Sequence, residues 1–340
     1  SAKNEVQKVY YHRIGTPQSD DVLFYQNPAQ PLRFYGVGLN DEETLMFLTE
    51  SGMDQGYNLY VRDLRVADSQ FIQMTADASK TYSPVEMIGD SIYILTNQGA
   101  PRYRLMVADV RKPGMTDWHE VVGEQDGVLQ DVLFLPADRM ILTYSKDHCT
   151  EAWLYSVKGE RLSRIELPTF GSASFSGSRK QDECFFSFTS YTVPTTIYRF
   201  DPATGKSQVE SQPKVNVRLN DYTTEMVFCT SKDGTKVPLF LTYRKGLKRN
   251  GKNPVMLYGY GGFNICYPPS FSPMRIPFLE NGGIYAYAAL RGGGEYGESW
   301  HLAGTKLQKQ NVFDDFISAA EWLISEKYTD SNHLAIYGGS

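Results

Sequence analysis

The chain has 340 residues, of which 41% are hydrophobic, 13% aromatic and 21% charged, which predicts about two globular domains and excludes disordered, collagen-like and low-complexity classes. Thirty-nine acidic against 34 basic residues give a net charge of -5 with the signs interspersed, so no basic footprint for nucleic acid is present, and no apolar run approaches the roughly 18 residues of a membrane helix or the core of a signal peptide. The cysteines, Cys149, Cys184, Cys229 and Cys266, lie far apart with no histidine at ligand spacing; they predict buried free thiols rather than disulfides or a metal site, and a reducing compartment, the cytoplasm being expected and a periplasmic or secreted location the alternatives.

VYYHRIG from Val9 and DVLFYQN from Asp21 read as two strands around a polar turn, the tail of a repeat already under way. The segments YNLYVRDL at Tyr57, YRLMVADV at Tyr103, AWLYSV at Ala152 and TIYRFD at Thr196 then recur at intervals of roughly 45 residues, and three of them close on an aspartate: Asp63, Asp109 and Asp201. Other short apolar or alternating runs lie between, so each period holds about four strands, the pattern of a propeller blade. Blades are predicted near 31–76, 81–121, 127–167 and 170–211. A pair of antiparallel sandwiches is the simpler alternative.

From Tyr222 the texture changes. EMVFCTSKDGTKVPLFLTYRK predicts a hairpin around Lys232-Asp233-Gly234, and a polar linker at 247–253 leads to three apolar strands, PVMLYGY, GIYAYAAL and HLAIY, expected to be buried on both faces. Between the last two, residues 311–328 predict a helix capped by Asn311, with Asp314 and Asp315 in its first turn and a core-facing stripe of Phe313, Phe316, Ile317, Ala320, Leu323 and Ile324. Strand, helix and strand predict a right-handed parallel crossover. The last strand runs into Gly338-Gly339-Ser340, the first half of a nucleophile elbow, in which a sharp turn lifts a serine above an α/β-hydrolase sheet; three residues alone also suit an ordinary turn.

Tyr258-Gly259-Tyr260-Gly261-Gly262-Phe263-Asn264, then Arg291-Gly292-Gly293-Gly294-Glu295-Tyr296-Gly297-Glu298, then the helix, then Gly338-Gly339-Ser340 resemble, in order and spacing, the prolyl oligopeptidase family of serine peptidases. KDGTKVPLF and the stretch KVYYHRIGTPQSDDVLFY extend the likeness over essentially the whole chain. The resemblance implies a seven-bladed propeller joined to an α/β-hydrolase domain, here as residues 1–221, a partial β-propeller of about four and a half blades, and 222–340, a partial α/β-hydrolase domain. It implies an endopeptidase that cleaves short proline-containing peptides on the carboxyl side of proline through an acyl-enzyme, with no cofactor and no metal. Ser340 would be the nucleophile, Tyr260 would give its hydroxyl to the oxyanion beside a backbone N–H, and Phe263 would line the pocket for proline. An aromatic wall suits a side chain that carries no charge to grip.

In this fold the acid and the histidine follow the nucleophile in the chain, so the triad partners are expected beyond residue 340, and none of His12, His119, His148, His301 and His333 is assigned to it. Each reads as a surface or structural residue. The chain is accordingly expected to be an internal segment of a larger peptidase and inactive alone.

Three other readings compete. Gly292-x-Gly294-x-x-Gly297 follows a strand as a dinucleotide loop does, but no helix is expected to open at its third glycine and no acid ends the next strand; Arg291 and Glu295 are instead expected to pair across the loop. An oligopeptidase B-like enzyme cutting after basic residues is the nearest relative reading. A non-catalytic propeller interaction protein is the third.

Overall fold

The computed structural model describes residues 5–52 and 56–340. The chain divides into two compact units, one ending at Gly123 and the other starting at Glu124.

In the first unit β1 (Lys8–Tyr11) and β2 (Val22–Gln26) form an antiparallel pair. Two four-stranded antiparallel meanders follow: β3 (Phe34–Leu39), β4 (Leu45–Ser51), β5 (Tyr57–Asp63) and β6 (Ile72–Gln73), then β7 (Tyr82–Ile88), β8 (Ser91–Thr96), β9 (Arg104–Asp109) and β10 (His119–Val122). Alternation turns every second side chain inward, and Leu45, Leu59, Val61, Ile92 and Ile94 pack as one buried cluster. Burying each stabilises the unit by about 1.5–3 kcal/mol.

The recurring aspartates have a local cause. Asp63 accepts hydrogen bonds from the backbone N–H and guanidinium of Arg65 at 2.8–3.0 Å. Asp109 does the same for Arg111 at 2.6–2.9 Å. In the second unit Asp201 takes the N–H of Ala203 and the hydroxyl of Thr204. A short carboxylate that bonds the backbone two residues on closes the turn after the third strand of a blade.

The second unit holds two more meanders, β11 (Val128–Leu135) to β14 (Arg161–Ile165) through β12 (Arg139–Lys146) and β13 (Cys149–Ser156), and β15 (Ser172–Ser178) to β18 (Lys206–Ser211) through β16 (Gln181–Thr189) and β17 (Thr196–Asp201). A five-stranded sheet follows, made of β19 (Tyr222–Thr230), β20 (Lys236–Arg244), β21 (Val255–Gly259), β22 (Ile284–Ala288) and β23 (Leu334–Tyr337) in the order β19-β20-β22-β21-β23. The β19–β20 hairpin turns at Gly234, whose φ of +88° only glycine adopts freely. β21 is parallel to both β22 and β23, as the strand–helix–strand pattern requires. Helices α1 (Ile276–Glu280), α2 (Glu298–Leu302) and α3 (Gln310–Ser325) complete this part. β22 is buried along its whole length, and its Ile284, Ala286 and Ala288 join Leu239, Leu257, Val312 and Leu323 in one core.

Two local expectations are corrected. Asn311 does not cap α3: the helix starts at Gln310 without a side-chain cap, and the Asn311 amide donates instead to the Ala303 carbonyl at 2.9 Å. Asp314 and Asp315 therefore fall beyond the first turn. The buried face is Val312, Asp315, Ala319 and Leu323, while Phe313 and Ile317 are each 53% exposed. Of the expected stripe, Leu323 is buried and Phe316 and Ala320 pack against the core, while a buried aspartate at 315, where an apolar pattern looks for an aliphatic residue, shifts the centre of the buried face toward Val312 and Ala319. Among the described residues β23 pairs with β21 alone, and Ile336 and Tyr337 are exposed.

Candidate active site

Beyond β21 the backbone passes through Tyr260-Gly261-Gly262-Phe263-Asn264 in a path that side chains would block. A Cβ on Gly261, at φ +61°, would lie 2.4 Å from Val312 Cγ1 and 2.9 Å from the Arg291 carbonyl oxygen. Phe263 and Asn264 are themselves left-handed, at φ +54° and +58°, a costly state for two consecutive non-glycine residues that clusters at functional sites. Ser340, after β23, has φ +76°, the strained setting expected of a serine on a tight bend.

The structure brings the three sequence-predicted residues together. Tyr260, Phe263 and Ser340 line one cavity of about 360 Å³, whose other wall is Leu290, Val312 and Phe316. Within this chain Phe263 is 82% exposed. The Tyr260 ring meets Tyr267 edge-on at 5.1 Å, and among the described residues its hydroxyl has no hydrogen-bond partner. Lys309, which no motif in the sequence marks, lines the same cavity and donates from Nζ to the Gly261 carbonyl at 2.6 Å. Chemically, a serine hydroxyl and a phenol share a space whose apolar wall lowers the local dielectric and strengthens any bond to a developing anion.

Beneath the loop, Arg291 does not pair with Glu295. Its guanidinium and its N–H engage Asp315 at 2.6–3.2 Å, and it also donates to Asp233 and Ser231. Asp315 is completely buried and Arg291 nearly so, and the bonds to the two carboxylates raise the guanidinium pKa further. The same contact holds the Asp233 carboxyl down at about 2. Glu295 turns the other way and accepts from the Tyr287 hydroxyl at 3.2 Å, while its Oε2 is buried with no partner. Burial without a compensating cation pushes its pKa up to about 7.

A helix does open at the third glycine of the Gly292-x-Gly294-x-x-Gly297 loop, since α2 begins at Glu298, which corrects that part of the expectation. The glycines are explained by backbone packing: a Cβ on Gly292 would stand 2.7 Å from the Gly261 carbonyl oxygen, and one on Gly304 would stand 2.4 Å from Gly292 N.

None of the histidines lines the Ser340 cavity. His12 bonds Asp21, His333 bonds Asp330 and His301 faces the Gly292 carbonyl. His148 sits in the β12–β13 turn, stacked on Tyr287 at 4.9 Å, and burial pushes its pKa down to about 4. All four cysteines are free; Cys184 and Cys229 are buried, but Cys149 and Cys266 are only partly so and share a second cavity of about 450 Å³. Burial raises the Cys184 thiol to about 11 and the other three to about 12. Among the described residues no group of three or more His, Cys, Asp or Glu could hold a metal, and no helix is long and apolar enough to cross a membrane.

Comparison with known proteins matches residues 1–213 to the family model "Prolyl oligopeptidase, N-terminal beta-propeller domain" and residues 269–340 to "Prolyl oligopeptidase family". The chain is 38% identical over its whole length to a prolyl endopeptidase of Elizabethkingia meningoseptica, covering 48% of that protein. It is 34% identical over 98% of its length to prolyl oligopeptidase A of Galerina marginata, covering 46% of it. Among solved structures, one from a study of two prolyl endopeptidases superposes with a TM-score of 0.93 at 38% identity, over 98% of this chain and 49% of that one. Prolyl oligopeptidase B of Galerina marginata bound to a 25mer macrocyclization substrate gives 0.94 at 31%, over 100% and 48%. Oligopeptidase B of Trypanosoma brucei with covalently bound antipain gives 0.86 at 29%, over 97% and 49%. The chain thus spans about half the length of the curated relatives it matches. With both family models matched in order, a partial propeller followed by the start of an α/β peptidase domain, it belongs to the prolyl oligopeptidase family.

Proposed function

We propose that the complete gene product is a serine peptidase that cuts short peptides on the carboxyl side of proline through an acyl-enzyme. Ser340 attacks the scissile carbonyl, Tyr260 donates its hydroxyl to the oxyanion, and Phe263 packs on the proline ring. Residues 1–221 serve as the propeller part and 222–340 as the catalytic part, a division supported by the change from four-stranded meanders to one mixed sheet. The observation that carries the proposal is the single cavity that gathers Tyr260, Phe263 and Ser340.

The chemistry follows from the residue types. As the carbonyl becomes tetrahedral its oxygen gains charge, and a fixed donor beside an apolar wall stabilises that charge by about 3–4 kcal/mol. Proline offers only an apolar ring, which an aromatic side chain can cover. The motif Tyr258-Gly259-Tyr260-Gly261-Gly262-Phe263 supports proline over a basic residue before the cut.

The test is fluorophosphonate labelling of the complete protein and of Ser340→Ala, together with cleavage of matched peptides carrying proline or arginine before the scissile bond. Labelling that disappears with the serine, and cleavage after proline only, is expected. Preference for arginine would support the oligopeptidase B reading, and absence of labelling a non-catalytic protein; either overturns the proposal.

A further inference from the structure

Within the Ser340 cavity one residue has no role in the mechanism just described. Lys309 is the single charged side chain among the lining residues, set amid Leu290, Val312 and Phe316. Its Nζ donates to the Gly261 carbonyl at 2.6 Å, from a residue 48 positions further along the chain at the start of α3. Gly261 directly follows Tyr260 in the loop. It is left-handed, packed against Val312 and the Arg291 backbone, and flanked by Tyr260 on one side and by Gly262 and the left-handed Phe263 on the other. The Lys309 ammonium and the edge of the Tyr260 ring both lie 3.8 Å from the point where a Gly262 Cβ would stand, so both border that glycine.

Resting on the peptidase reading above, we propose that Lys309 is a positioning residue for the reaction: through the Gly261 carbonyl it fixes the loop so that the Tyr260 hydroxyl is held toward Ser340. A charge-assisted hydrogen bond is about twice as strong as a neutral one. Here it holds a peptide unit that has two glycines and therefore little conformational preference of its own. Donors that must meet an oxyanion act through geometry held before the reaction, and small displacements cost large factors in rate. Removing the ammonium frees the loop, and the loss falls on turnover more than on binding.

The experiment compares Lys309→Met, Lys309→Arg, Tyr260→Phe and the Lys309→Met/Tyr260→Phe double variant in the complete protein, measuring kcat and KM on a prolyl peptide, the rate of fluorophosphonate labelling, and Tm. Lys309→Met is expected to lower kcat about tenfold to a hundredfold, with KM within about twofold and Tm little changed. Lys309→Arg, which can donate to the same carbonyl, is expected to restore most of the rate. In the Tyr260→Phe background the further loss from Lys309→Met is expected to shrink to less than about threefold, because two residues acting through one donor are not additive. Full additivity in the double variant, a rise in KM alone, or a fall in kcat that tracks Tm and is not rescued by arginine overturns the proposal. A protein that labels at Ser340 yet does not cut after proline refutes the peptidase reading, and the labelling rates still decide the role of Lys309. No labelling of the unmodified protein overturns both.

Discussion

Replacing Glu295 by glutamine should make the protein more stable at alkaline pH and leave it nearly unchanged at acid pH. The carboxyl is 2% exposed, one oxygen takes the Tyr287 hydroxyl and the other has no partner. Its pKa stands at about 7 instead of the ordinary 4.5. The folded state therefore keeps a proton that the unfolded chain has released, and stability declines as pH rises from 4.5 through 7. Holding the ionised carboxylate in that site costs about 3 kcal/mol above pH 7 and less than about 1 kcal/mol at pH 5. Glutamine is uncharged throughout and can keep the bond from Tyr287. His148, stacked on Tyr287 with its pKa pushed down to about 4 from the ordinary 6.5, takes a proton only in the unfolded chain between those values, so it adds a slope of opposite sign there that both proteins share and that cancels in the comparison. Urea unfolding of both proteins at pH 5 and pH 8 measures the difference. A stability gap that does not change with pH, or an unmodified protein that gains on the variant at pH 8, would refute the reasoning.

Two further outcomes follow from the same region. Tyr260→Phe in the complete protein is expected to lower kcat about a hundredfold with KM within about twofold; steady-state kinetics on a prolyl peptide decide it, and an equal loss in affinity argues against an oxyanion role. Asp315→Ala leaves the Arg291 guanidinium buried with only Asp233 and Ser231, and is expected to destabilise the protein by about 3 kcal/mol, read as a lower midpoint in chemical denaturation with an unchanged slope.

Much of the fold is legible along the chain because it is local. A strand that ends on an aspartate bonds its own backbone two residues later, so the repeat announces itself at Asp63, Asp109 and Asp201, and alternation within each run sets which side chains turn inward. The glycine-rich loop around Tyr260 and the G-x-S ending are likewise stretches of neighbours, and the candidate site could be named from them. What neighbours do not encode is which charges meet. Glu295 is four residues from Arg291 and Asp315 is 24, yet the fold delivers the distant carboxylate to the guanidinium and turns the near one toward Tyr287. The same choice puts Asp315 on the buried face of α3, apolar in position and polar in kind, where an apolar pattern does not reveal it. The ammonium of Lys309 reaches the loop for the same reason. Hydrogen bonding within a turn depends on sequence spacing of two or three residues, whereas the pairing of buried charges depends on where whole elements come to rest, and only the tertiary structure holds that information.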